Sequence, residues 1–226
     1  MGLNRSYEFL QLVTFMSFLE VVKSRHSVRS YKSDPISDDL IKSIMEIAST
    51  APSWCNSQPW KVIVATGESL KAIKSEYLTL SKSCTDPKPD ILRLHRSHLS
   101  KESAQCMCCF YSLDPLKNCE FNSHQPSLFN APAILYFTLP KVHSEYSVFD
   151  IGEFCMTVML AAKAHGLDTV PAASTITYCD VLHRILSVPE DDSFIIGIAI
   201  GYASDAKINS FVPPRMKVDE FLTIKH

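Results

Sequence analysis

A layered α+β (α/β) fold is predicted for this chain, because short β-branched apolar runs alternate with amphipathic helical stretches. The runs are Lys61–Ala65 (KVIVA), residues 133–139 (AILYFTL) and residues 194–201 (FIIGIAIG). Each is short, rich in Val, Ile or aromatic residues, and bounded by Gly or Pro, as strands are. The third is apolar nearly throughout, which suits a strand buried on both faces.

Residues 1–20 read as a helical N-terminal extension and residues 21–226 as the main domain. Leu12, Phe15, Met16, Leu19 and Val22 recur at helical spacing among polar residues, which predicts an amphipathic helix packed on the body. The stretch is too short and too polar to span a bilayer, and no small-residue cleavage site follows it. The opening Met1-Gly2-Leu3-Asn4-Arg5-Ser6 fits the myristoylation pattern, so membrane association is not expected unless Gly2 is acylated.

Ser37 followed by Asp38 and Asp39 predicts a capped helix carrying Leu40, Ile41, Ile44, Met45 and Ala48, stopping near Pro52. The clearest helix is expected from Ile151 to His165, with Ile151, Phe154, Cys155, Val158, Met159 and Ala162 on one face. Asp150 and Glu153 resemble a capping box at its start, and Gly166 stops it. Asp180 is expected to cap a short helix closed by Pro189. Residues 80–130 have weak patterning and read as helical fragments and loops.

The chain has 226 residues with net charge −2, so general attraction to nucleic acid is not expected. Its eight cysteines come without a secretion signal and read as reduced thiols of a cytoplasmic protein. Cys106, Cys108 and Cys109 are too closely spaced for a usual structural zinc pair, so no metal site is expected. The six glycines form neither a dinucleotide fingerprint nor a Walker loop. Side chains must therefore grip any phosphate.

Three clusters offer such groups. Arg25-His26-Ser27-Val28-Arg29 can turn two guanidinium forks and a hydroxyl on one anion. The loop at residues 51–60 (APSWCNSQPW) holds Ser53, Asn56 and Gln58 between stiffening prolines, with hydroxyl and amide groups for a heteroaromatic edge. Arg215, after Pro213-Pro214, could join Arg25 in a site built from both ends of the chain.

The order RHSVR, APSWCNSQPW, a helix opening D-x-G at Asp150 and Gly152, GLDTVPAAS, IAIGY and PPR resembles the FMN-dependent nitroreductase family. That resemblance implies a central mixed β-sheet flanked by helices, a homodimer and an extended C-terminal segment. It places Arg25, His26 and Ser27 at the phosphate and ribityl chain, Arg29 near the pyrimidine side of the flavin, and Arg215 closing on the phosphate. Pro52, Ser53, Asn56 and Gln58 fall in a loop that contacts the flavin, often across the dimer interface. Pro171, Ala172, Ala173 and Ser174 match the segment along the reactive edge.

The resemblance also implies FMN as cofactor and NADPH or NADH as electron donor. The acceptor would be a nitroaromatic, a quinone or a similar small molecule, and no side chain need be catalytic. Alternatives are a non-catalytic FMN- or ligand-binding protein, or a reductive dehalogenase on the same scaffold. The chain departs from many relatives at Ala172-Ala173-Ser174, where they carry an acidic residue and glycine, and at Met156, where they carry glutamine.

Overall fold

The computed structural model describes residues 16–91, 98–112 and 124–226. Gly2 and the first part of the expected N-terminal helix lie outside these residues, as do His95 and Cys119, and the Cys108 and Cys109 side chains are not described.

Among the described residues six α-helices flank one sheet: α1 (Phe18–Ser24), α2 (Asp38–Ala48), α3 (Gly67–Lys82), α4 (Lys101–Ser112), α5 (Glu145–Ala164) and α6 (Cys179–Leu186). The strands are β1 (Lys61–Ala65), β2 (Ala133–Pro140), β3 (Asp168–Ala172) and β4 (Asp192–Gly201), in the order β1-β2-β4-β3. Every neighbouring pair is antiparallel, with Val62 opposite Phe137, Leu135 opposite Ile198 and Val170 opposite Ala199. The mixed sheet expected from the resemblance is thus antiparallel in its named strands. Its parallel element at the β3 edge is one bridge, Ser27 to Thr169.

Strand alternation divides the core in two. Leu135, Phe137 and Leu139 meet Ile41, Ile44 and Ala48 of α2 and Phe154, Val158 and Ala162 of α5. On the other face Ile134 and Tyr136 meet Leu70, Ile73 and Tyr77 of α3 and Val181 and Leu182 of α6. The result is a helix–sheet–helix sandwich with β2 and β4 in its centre.

The sequence placed α2, β1, β2 and β4 correctly and erred at the starts of α5 and α6. α5 begins at Glu145, because Ser144 is its cap and accepts from the Ser147 N–H at 3.3 Å. Asp150 is therefore inside the helix, not at its start. Asp180 does not cap α6; that position is Tyr178, and Asp180 accepts from the Val181 N–H within the first turn. In α1, Val21 is buried, whereas Leu19 and Val22 are exposed. β3 was not expected, since Pro171 weakens its strand pattern; an edge strand tolerates the missing N–H. No described helix is long and apolar enough to cross a membrane.

Candidate functional site

The β3 edge organises the first cluster. The Val28 N–H donates to the Thr169 carbonyl at 3.1 Å, beside the Ser27–Thr169 bridge, so residues 25–29 run along the outer side of β3. β3 then delivers residues 171–174 at its far end. There the Thr175 hydroxyl donates to the Ala172 carbonyl at 2.6 Å and the Thr177 hydroxyl to the Ser174 carbonyl at 2.9 Å, fixing the turn. Pro171 and Ala173 are exposed, and Ala172 and Ser174 are half-buried.

Arg25 is half-buried, while Arg215 is exposed and donates to the Pro213 and Pro214 carbonyls at 2.9 and 3.3 Å. Desolvation, and then the like charge of Arg215, lowers the pKa of Arg25. The like charge of Arg215 is thus felt at Arg25, and among the described residues neither forms an ion pair with a carboxylate. Two such cations from opposite ends of the chain are suited to a doubly charged anion.

His26 has carbonyls at both ring nitrogens: Ser24 at 2.9 Å from Nδ1 and Asn209 at 2.8 Å from Nε2. Arg29 is drawn inward. Its Nη1 donates to the Ser27 carbonyl at 2.9 Å, and the guanidinium carbon stands 5.9 Å from the centre of the Phe211 ring. Burial lowers its pKa, with Tyr31 acting in the opposite sense. An arginine nevertheless keeps its charge in a protein, so this is a fixed positive pole inside the site wall.

Residues 52–58 sit elsewhere. Cys55, Asn56 and Gln58 all have left-handed φ, at 49°, 58° and 43°. Non-glycine residues resist that conformation, so three within four positions mark a held shape. Two bonds hold it. Buried Asp150 of α5 accepts from the Trp54 N–H with both oxygens, at 3.1 and 3.2 Å, and the Ser53 hydroxyl oxygen accepts from the Gln58 N–H at 3.0 Å. The Gln58 amide donates to Asn56 Oδ1 at 3.0 Å.

This loop feeds β1, the sheet edge opposite β3. Three strand spacings, about 14 Å, separate those edges. One chain therefore sets residues 25–29 beside β3, which leads into residues 171–174, while residues 52–58 lead into the opposite edge strand.

Two residues important to this geometry were not read from the sequence. Asp150 was taken as a cap, and Asn209 was not singled out, although it bonds the backbone of residues 29 and 30. Asp150 had a signal, the D-x-G opening; a lone Asn in a weakly patterned tail had none. Among the thiols, Cys155 is buried in α5 and desolvation pushes it up to about 12, too high for a thiolate nucleophile at neutral pH. His183 is buried between the Val188 carbonyl and Asp90.

The profile of the Nitroreductase family matches residues 22–202. Over 217 residues the chain is 32% identical to a 4-nitrobenzoate reductase of Pseudomonas putida, covering 90% of this chain and 93% of the relative. It is 26% identical to a chloronitrobenzene nitroreductase of Comamonas testosteroni, covering 92% and 96%. Among solved structures, a variant of the FMN- and NADPH-dependent nitroreductase NfnB from Sphigopyxis sp. strain HMH superposes with a TM-score of 0.84 at 26% identity. That match covers 93% of this chain and all of the other.

Proposed function

This chain belongs to the nitroreductase family, and from that premise we propose how its residues build and serve the cofactor site. The protein is an FMN-dependent oxidoreductase of the NAD(P)H nitroreductase type, acting on nitroaromatic acceptors. The non-catalytic and dehalogenase alternatives are not favoured, because the relatives that match nearly the whole chain are nitroreductases.

The donor set fits FMN. Arg25 and Arg215 hold the phosphate, and the observation that carries this reading is that the segment 25–29 lies along β3, which leads into residues 171–174, with no carboxylate paired to Arg25 or Arg215 among the described residues. His26 and Ser27 flank the ribityl chain. Arg29 supplies positive potential on the pyrimidine side, and residues 171–174 lie along the reactive edge. When bound, FMN supplies the redox chemistry, accepting hydride from NADPH or NADH and delivering electrons to the acceptor. The chain's own part is to orient the ring, exclude water from it and hold fixed charge beside it. No side chain need act as acid, base or nucleophile.

The loop at residues 52–58 reaches the cofactor of a second copy. Its place at the opposite sheet edge supports this, as do exposed apolar side chains: Trp54, Tyr146 and Phe149 on one surface, and Phe221, Leu222 and Ile224 in the tail. The working unit is therefore a homodimer with two shared sites, in the cytoplasm, its donor and acceptor both small molecules.

The test is an absorption spectrum of FMN-loaded protein under anaerobic conditions, before and after NADPH and then NADH. Bleaching of the flavin band with either donor is expected, together with a dimeric mass in light scattering. Protein that cannot be loaded with FMN, or whose FMN stays oxidised with both donors in excess, would overturn the reading.

A further inference from the structure

We propose that Asn209 is a positioning residue of the cofactor site, setting the backbone and charge of Arg29 and the ring of His26. The inference rests on the assignment of residues 25–29 to the cofactor.

Asn209 is buried. Its Oδ1 accepts from the Arg29 N–H at 2.8 Å and the Ser30 N–H at 3.1 Å. Its Nδ2 donates to the Ser30 carbonyl at 2.7 Å and the Ser204 carbonyl at 3.0 Å. An amide offers two acceptor and two donor sites, and all four are used here. The backbone carbonyl of the same residue faces His26 Nε2 at 2.8 Å. Phe211, two residues further on, lies under the Arg29 guanidinium. The segment 209–211 therefore fixes Arg29 at both ends, N–H and charge, and His26 at the ring.

The chemistry specifies this side chain. Asp would keep both acceptors and lose both donors. Ser is too short to span the four partners, and Gln is one methylene too long for a closed site. Removing the amide leaves the buried N–H groups of Arg29 and Ser30 without an acceptor, so that backbone must move. Asn209 also anchors the start of the tail that carries Arg215, six residues later. One amide thus couples both halves of the phosphate grip.

The test compares N209A, N209D, R25A, R215A and the core variant I73A, which lies outside the three site clusters. For each, the FMN dissociation constant is measured by flavin-fluorescence quenching, the midpoint potential of the bound flavin by dye equilibration, and the melting temperature on FMN-free protein. N209A is expected to weaken FMN by roughly tenfold or more, the scale of a lost hydrogen-bonded support. It is also expected to lower the potential, because Arg29 is no longer held. N209D serves if N209A does not fold, and is expected to weaken FMN several-fold through the lost donors. I73A is expected to melt earlier with FMN affinity and potential unchanged.

Unchanged affinity and potential in both Asn209 variants, alongside weakened binding in R25A, would overturn the proposal and leave the site standing. An equal loss of affinity in I73A at matched stability would overturn it too, since Asn209 would then act through stability alone. If R25A and R215A also bind FMN normally, the site assignment itself fails.

Discussion

Placing a methyl group at Gly197 tests how tightly the reactive-edge segment is built. Gly197 lies in β4, opposite Tyr136 on one side and Ala172 on the other. A Cβ there would stand 2.3 Å from Thr175 Oγ1, 2.8 Å from Thr175 Cβ and 3.2 Å from Tyr136 Cδ1. Rotating Thr175 relieves the first contact but not the second, which involves its own Cβ, so the backbone turn must shift. Overpacking a core typically costs about 1–3 kcal/mol. Displacing Thr175 also breaks its bond to the Ala172 carbonyl, for about 1 kcal/mol more. The lower chain entropy of Ala over Gly returns about 0.5–1 kcal/mol. The net for Gly197→Ala is a loss of about 1–3.5 kcal/mol.

For a chain of this size that corresponds to a fall in melting temperature of roughly 2–14 °C. FMN retention should fall with it, because Ala172 and Ser174 move. The assay is thermal unfolding by circular dichroism at fixed protein concentration, with and without FMN. Adding Thr175→Ala should recover only part of the loss, since the 2.8 Å contact remains. A G197A protein that melts within about 1 °C of the parent and keeps its FMN would refute the steric argument.

Three further outcomes follow from the structure. Arg25→Ala and Arg215→Ala should each weaken FMN binding by about 1.5–3 kcal/mol, measured by equilibrium titration, with a shallower dependence on salt. Tyr136→Phe should be neutral or stabilising by up to about 1–2 kcal/mol in urea unfolding, because the buried Tyr136 hydroxyl has no hydrogen-bond partner among the described residues. The third concerns His183, for which burial, the largest single influence, acts downward. The Val188 carbonyl, the Asp90 carboxylate and Glu190 together outweigh it, so the native pKa is raised. Both ring nitrogens face acceptors, and only the imidazolium can donate to both. Its stabilisation is full below about pH 6.5 and is lost as pH rises through the raised native value. The stability gap between parent and His183→Asn should accordingly be wider at acid than at alkaline pH in urea melts.

Local pattern carried the elements whose signal is local. β1, β2 and β4 are β-branched runs between breakers, and α2 has its Ser37 cap and a regular apolar stripe. α3 was missed even though Leu70, Ile73 and Tyr77 lie on one face, because Lys, Ser and Thr dilute the apolar signal between them. The start of α5 was misplaced because Asp150 resembles a cap in sequence. Its carboxylate is in fact held by the Trp54 N–H, a partner 96 residues away. Arg25, His26, Ser27 and Arg29 could be read as a donor cluster from adjacency alone. Arg215 was expected beside Arg25 from its chemistry and the resemblance, whereas the placement of residues 52–58 at the sheet edge opposite β3 follows from strand order, which no window of sequence contains. Asn209 was illegible for the same reason.

That long reach also orders events during synthesis. Arg29 leaves the ribosome 180 residues before the amide that fixes it. The emerging chain can pair β1 with β2 and bury much of its core while the phosphate grip is still open. On the proposed site, cofactor loading is deferred until the tail has been made. A protease that clipped the chain ahead of Ser204 would cut beyond β4 and remove Asn209 and Arg215, so on the proposed site release of yellow colour would report tail loss before unfolding does.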